Sequence, residues 1–168
     1  PDTGRIIQSQ MNNSATETSP APRKVVVACA TFKGTLASRA AGEALSRGLQ
    51  SLGIQTRVVG LADGGEGLVD ALAGEVPDSL KVGAPARCPL LKLRTATFAI
   101  LPRAPQRKHP VAVIEMAASS GLMLVPEDQR DPKTATTLGV GDQILAALEQ
   151  QSDGLEILLG IGGSATND

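Results

Sequence analysis

A chain of 168 residues with 42% hydrophobic and 20% charged residues has ordinary globular composition, and its 16 basic and 17 acidic residues nearly cancel to a formal charge of -1. That balance offers no basic face to neutralise phosphates, and with Phe32 and Phe98 as the only aromatics there is no stacking surface, so nucleic acid is excluded as an expected partner. The longest strongly apolar run, VVVACA at 25–30, is too short to cross a bilayer, so no membrane span is expected and the core must be built from Val, Leu, Ile and Ala.

Residues 1–23 are polar, rich in Ser, Thr and Pro, and lack the apolar centre of a secretory signal, so they read as a disordered or extraneous tail that contains Met11. The fold is expected within 24–168. The run KVVVACA at 24–30 is β-branched and apolar throughout, the pattern of a strand covered on both faces. After a TFKGT turn, Leu36, Ala40, Ala44, Leu45, Leu49 and Leu52 recur at mostly three- and four-residue intervals. They predict an amphipathic helix with Thr35 or Ser38 as N-cap and an end near Gly53.

QTRVVGLA at 55–62 predicts a second strand, DGGEG a tight turn, and LVDALAGE at 68–75 a short helix, giving a β-α-β-α unit with parallel strands. From 79 to 101, SLKVGAPA and LKLRTATFAIL are strand-like with no helix between them, so an antiparallel hairpin is expected beside the parallel unit. A linker-like PRAPQRKHP at 102–110 leads to VAVIEM as a buried strand and AASSGLMLV as a short helix and turn. PEDQRDPKTATTLGVG at 126–141 reads as a long polar loop, DQILAALEQ as a helix and LEILLGIG at 155–162 as a final buried strand. The expected class is α/β: a Rossmann-like parallel sheet with an added antiparallel hairpin and no internal repeat.

Cys29 and Cys88 form no C-x-x-C pair and nothing suggests export, so reduced thiols in the cytoplasm are expected. His109 is the single histidine, which excludes a multi-histidine metal site, and it reads as a solvent-exposed loop residue.

Four stretches can carry chemistry. Lys33 follows the first strand, with a helix N-terminus just beyond it, where a lysine could hold a phosphate. The order Lys-Gly-Thr is not that of a Walker A loop, and a solvated turn lysine is the other reading. Asp63, Gly64, Gly65 and Glu66 follow the second strand. The glycines let backbone approach a ligand, and the carboxylates suit Mg²⁺ coordination or proton transfer, although an Asp capping the next helix and a Glu complementing its dipole fit the same pattern.

Gly162, Gly163, Ser164 and Thr166, with Asn167 and Asp168, form a strand-to-turn segment that could present amides and hydroxyls to an anion, with Asp168 as base or metal ligand; a solvated end is the alternative. Thr136 and Thr137 precede the fourth helix and could bind carboxylate or phosphate oxygens, or Thr137 could serve as a plain N-cap. Glu115 is a further carboxylate at a strand end. All these positions fall at C-terminal ends of strands expected in one sheet, so they are expected to converge on one crevice.

ATFKGTL, ADGGEG, VIEMAASSGL, TTLGVG with ILAAL, and GIGGSATND, in this order and spacing, closely resemble the N-terminal part of bacterial-type glycerate kinases from about Lys24 to Asp168. The resemblance implies transfer of the γ-phosphoryl of ATP to a hydroxyl of D-glycerate with Mg²⁺, on a fold of two α/β domains facing each other across a cleft. It implies that Lys33 faces phosphate or the substrate carboxylate, that Asp63, Gly64, Gly65 and Glu66 line the cleft, and that Gly162, Gly163, Ser164 and Thr166 form an anion loop. Either Asp63 or Asp168 would then be the base or metal ligand.

Two departures stand out. The family usually has Pro-Asp-Ser before Phe-Lys-Gly, whereas this chain has Cys29, Ala30 and Thr31, so an acid is missing at the end of the first strand. Family members also continue into a long C-terminal portion. The chain is therefore expected to be incomplete relative to the two-domain fold, with uncovered sheet edges and apolar faces that invite self-association. A catalytically inactive fragment or pseudoenzyme that binds ligands or partners is the alternative from another class. A dinucleotide oxidoreductase lacks its G-x-G-x-x-G after the first strand.

Overall fold

In the computed structural model of the protein the described residues are 24–32 and 34–167. The tail at 1–23 and the candidate residues Lys33 and Asp168 lie outside them.

Two sheets form where one was expected. Strands β1 (Lys24–Cys29) and β2 (Gln55–Gly60) pair in parallel, with Lys24 opposite Gln55 and Cys29 opposite Gly60. The second sheet has the order β3-β4-β5-β6. In it β3 (Leu80–Arg87) and β4 (Leu93–Leu101) make the predicted antiparallel hairpin, β4 pairs antiparallel with β5 (Val111–Glu115), and β5 pairs in parallel with β6 (Glu156–Gly160). The hairpin therefore extends the later parallel pair and not the first. Its junction is Ala99 to Leu101 against Val111 to Val113, a register that the short 102–110 connection allows only between antiparallel neighbours.

Helix α2 (Leu68–Glu75) and helix α4 (Leu138–Glu149) cover opposite faces of this four-stranded sheet. Ala84, Phe98, Ile100, Ala112 and Ile114 meet Ala147 on the α4 side, while Ala99, Val111 and Val113 meet Val69 and Leu72 on the α2 side. Covered twice, β5 is buried along its whole length, as a continuous apolar run requires. Burying Phe98 or Ile114 completely contributes on the order of 2–3 kcal/mol each, so this layer holds most of the stabilising apolar contact.

Helix α1 (Ser38–Gln50) lies against β1 and β2 with a different face from the one its leucine spacing suggested. The buried positions are Ser38, Ala41, Gly42 and Ser46, whereas Leu45 is 57% exposed, and beyond the helix Leu52 is 75% exposed. Close approach decides the face: a Cβ on Gly42 would stand 2.6 Å from Val58 Cγ1, and the hydroxyls of Ser46 and Thr56 hydrogen-bond across the contact. Neither Thr35 nor Ser38 caps this helix. Its N-cap is Ala37, with no side-chain cap, and the Thr35 hydroxyl donates instead to the Phe32 carbonyl at 3.0 Å.

Strands β1 and β6 depart from the buried readings. Val27 is buried but Val26 is 62% exposed, and Ile157 and Leu158 of β6 are exposed, because β6 is an edge strand and α1 covers only one side of β1. Cys29 and Cys88 are free thiols. His109 is half-buried, not exposed: its ring packs on Gly154, where a Cβ would stand 2.6 Å from Cε1.

Candidate functional site

The candidate segments gather around one stretch of chain, the end of β5 and the short helix α3 (Met116–Ser120) that follows it. Most are tied to that stretch, or to a neighbour tied to it, by hydrogen bonds or close backbone approaches, and the TFKGT turn touches it through the Thr31 side chain.

The 63–67 turn comes first. Gly64 and Gly67 both have positive φ, +91° and +93°, which reverses the chain between β2 and α2 in a way that a side chain would oppose. The Asp63 Oδ1 accepts the Gly65 N–H at 3.2 Å, an Asx-type turn that leaves an exposed carboxylate at the rim. Asp63 does not cap α2. The N-cap is Gly67, which has no side chain to offer.

That role falls to Glu115, the residue that the sequence left without an assignment. At 8% exposure its Oε1 accepts the Val69 N–H at 2.6 Å, and the Gly67 N–H also favours its ionised form. Burial nevertheless pushes the carboxyl above the ordinary glutamate range, with smaller contributions from the negative charges of Asp70 and Glu66. The legible signal was the sequence VAVIE itself: a carboxylate closing a fully apolar strand must find donors, since a bare buried charge is costly.

The segment after β6 packs directly on this turn. The Gly162 N–H donates to the Gly64 carbonyl at 3.0 Å, and a Cβ on Gly160 would stand 2.4 Å from that same oxygen. On its far side the segment pairs with the chain after α3: the Leu122 N–H donates to the Gly163 carbonyl at 2.8 Å and the Ala165 N–H to the Ser120 carbonyl at 2.9 Å.

These bonds narrow the anion-loop reading. The amides of Gly162, Ala165 and Thr166 are used internally, the last on the Ser164 Oγ at 3.0 Å, which leaves those of Gly163 and Ser164 as the donors without a partner among the described residues. The Ser164 and Thr166 hydroxyls bond each other at 2.8 Å. Asn167 is exposed beyond them.

Thr136 and Thr137 stand at the start of α4, which begins at Leu138 and takes in four residues expected in the loop. Thr137 is the N-cap residue by position, while the Thr136 Oγ1 accepts the Leu138 N–H at 3.2 Å. This end of α4 is pressed against the hub. A Cβ on Gly139 would stand 1.9 Å from the Arg87 carbonyl and 2.8 Å from Ser119 Cβ. Two parallel hydrogen bonds from the Arg87 guanidinium to the Asp142 carboxylate, with a third from the Arg87 N–H at 2.9 Å, lock the helix to the end of β3. The guanidinium holds the Asp142 carboxyl down at about 2.

The TFKGT turn reaches the same place through Thr31, whose Oγ1 lies 3.3 Å from where a Gly67 Cβ would be. Ala30, where the expected acid is missing, is exposed at the end of β1. Thus strand ends from two separate sheets meet, joined by the Gly64 to Gly162 contact and not by one continuous sheet.

No group of three or more Asp, Glu, His or Cys among the described residues could cage a metal. A Mg²⁺ arriving with a nucleotide needs only one or two carboxylates beside phosphate oxygens and water, and the exposed Asp63 beside two glycines fits that more modest demand. No described helix is long and apolar enough to cross a membrane.

Comparison with known proteins points one way. The Bacillus subtilis glycerate kinase is 42% identical over 151 residues, covering 86% of this chain and 36% of its own length. The glycerate 2-kinase of Escherichia coli is 37% identical, with the same two shares. A crystal structure from Salmonella typhimurium LT2, assigned as a glycerate kinase 2, superposes with a TM-score of 0.67 at 36% identity, covering 86% of this chain and 37% of that one. The chain thus spans about a third of the length of the relatives it matches. The model of the glycerate kinase family matches residues 25–168, and with the motif segments brought together as described, this chain belongs to the glycerate kinase family.

Proposed function

We propose that this chain carries part of the active site of an ATP-dependent kinase that phosphorylates a hydroxyl of D-glycerate to give a phosphoglycerate. The observation that supports it most is the gathering of Thr31 and the 63–67, 136–139 and 162–166 segments around Glu115 and α3, in a chain of the glycerate kinase family.

Phosphoryl transfer demands positioning and charge neutralisation more than covalent chemistry from the protein. The substrate hydroxyl oxygen forms a bond to the γ-phosphorus as the bridge to the β-phosphate breaks, and the hydroxyl proton goes to a carboxylate, Asp63 or Asp168. Lys33 and the Gly163 and Ser164 amides would face phosphate or substrate carboxylate oxygens, with the Thr136 and Thr137 hydroxyls beside them. Mg²⁺, held by Asp63 or Asp168 with the phosphates, would supply further charge neutralisation.

A second reading, a ligand-binding module without catalysis, is favoured by Ala30, which leaves the end of β1 without a carboxylate. One assay separates them: phosphoglycerate formation from ATP, Mg²⁺ and D-glycerate by this chain, and by a chimaera in which residues 25–168 replace the matching segment of the Bacillus subtilis relative. Product from either form supports the kinase reading, and product from the chimaera alone shows that the remaining length is required. Binding of D-glycerate or MgATP by both forms without product favours the module.

A further inference from the structure

We propose that Glu115 is a positioning residue of the phosphoryl-transfer site, one that fixes the 63–67 turn, and with it Asp63, by accepting the backbone N–H groups at the start of α2. The proposal rests on the reading of that turn as part of the site.

The turn cannot hold itself. Its two left-handed glycines, Gly64 and Gly67, give the chain the freedom to reverse and equally the freedom to move. The one side-chain bond within it, from the Gly65 N–H to Asp63 Oδ1, is 3.2 Å long and made by an exposed carboxylate. The cap that α2 lacks locally comes from 46 residues further along the chain, where Glu115 reaches Val69 at 2.6 Å from the end of a wholly buried strand. A strand gripped by neighbours on both sides and helices on both faces is a rigid anchor, and a buried carboxylate aimed at a helix start is a directional one.

The second restraint is the Gly162 to Gly64 bond, which ties the turn to the segment after β6. Without Glu115 the turn keeps this hinge, while the start of α2, still packed through Val69, loses the bond that orients its first N–H groups, so Asp63 can shift. The energetic cost of burying Glu115 supports a role beyond packing: Asp70 and Glu66 both oppose its charge, and an apolar residue would fill the volume without that conflict.

The test uses two measurements. Amide hydrogen exchange on the chain itself requires no turnover: Glu115→Ala should speed exchange at Gly67 and Val69 by roughly tenfold or more, relative to the Ala41 amide of α1. Kinetics are measured in whichever form turns over in the assay above. There Glu115→Ala should lower kcat on the order of 10- to 100-fold with a smaller change in KM, since misplacement by about 1 Å has effects of that size. Glu115→Gln, which keeps the acceptor oxygen, should restore kcat to within about threefold of the unsubstituted protein. Ile100→Ala, buried on the opposite face of the sheet against α4, serves as the stability control: it should lower the melting temperature without lowering kcat.

Unchanged exchange at Gly67 and Val69, an unchanged kcat in Glu115→Ala, no rescue by Glu115→Gln, or an equal loss of kcat in Ile100→Ala would each overturn the proposal. Absence of turnover in every form, with exchange at Gly67 and Val69 accelerated, would instead sink the kinase reading and leave the clamp on the turn established.

Discussion

Replacing Gly162 by alanine probes the junction on which the candidate site depends. The new Cβ would stand 2.7 Å from Gly65 Cα, 2.8 Å from Gly65 N and 3.2 Å from Gly64 C. Carbon atoms in contact prefer about 3.5–4.0 Å, so the two turns must separate by about 1 Å. The atoms in the way are backbone, which cannot rotate aside as a side chain would. Overpacking of this kind costs about 1–3 kcal/mol, and loss of the Gly162 N–H to Gly64 carbonyl bond adds about 1 kcal/mol, for a total of about 2–4 kcal/mol. With a urea dependence of about 1–3 kcal/mol per molar for small proteins, the unfolding midpoint followed by far-ultraviolet circular dichroism should fall by about 1–2 M. Gly48→Ala is the matched control. Nothing lies within 4 Å of its Cβ, it sits in the last turn of α1, and it should stabilise by about 0.5–1 kcal/mol. A Gly162→Ala protein that unfolds at the unsubstituted midpoint would refute the close junction between the two turns.

Four further outcomes are expected. Asp63→Asn keeps an acceptor for the Gly65 amide but removes the charge: if the proposed kinase reading holds with Asp63 as base or metal ligand, kcat in whichever form turns over should drop by about 10²–10³-fold while the melting temperature barely moves, and an unchanged kcat would leave those roles to Asp168. Ala30→Asp restores an acid at the exposed end of β1, and on the proposed kinase reading turnover, in whichever form shows it, should rise by about 10²-fold; no rise would remove that residue from the chemistry. Asp142→Asn should destabilise by on the order of 1–2 kcal/mol at neutral pH after allowance for solvent screening. Because the folded carboxyl titrates at about 2 against an ordinary 3.8, this contribution is complete above 3.8 and disappears as pH falls through 2, so the gap between variant and parent should close over that window in acid-unfolding curves. Val26→Lys combined with Leu158→Lys charges two exposed apolar positions on sheet surfaces, and sedimentation should show less self-association than for the unsubstituted chain.

Local chemistry made much of this fold legible. Alternation and β-branching located every strand among the described residues, and LVDALAGE gave α2 to the residue because a glycine turn bounds it on one side and Val76 returns to extended backbone on the other. The motif segments, read together, also gave the family. Contacts between distant segments were less visible. The leucine stripe of α1 predicted the wrong face, because Gly42 and Ser46 permit a closer approach to Val58 and Thr56 than leucines would. The Asp63 reading left helix capping open, whereas the cap comes from Glu115. The glycine-rich segment at 162–166 promised a row of amides, yet most of them are taken by Gly64, Ser120 and Ser164.

By itself the sequence determined where the described strands lie, the bounds of α2, and which polar residues sit at strand ends, because propensity and periodicity act over a few neighbours; the first turn of α4 fell in an expected loop. Only the tertiary structure decided that the strands divide into two sheets, that the hairpin joins the later pair, and that a buried glutamate from β5 caps the turn carrying Asp63. Those outcomes depend on partners tens of residues apart, chosen by which surfaces pack closely enough to exclude water while buried backbone N–H groups still find acceptors, a condition that no local pattern records.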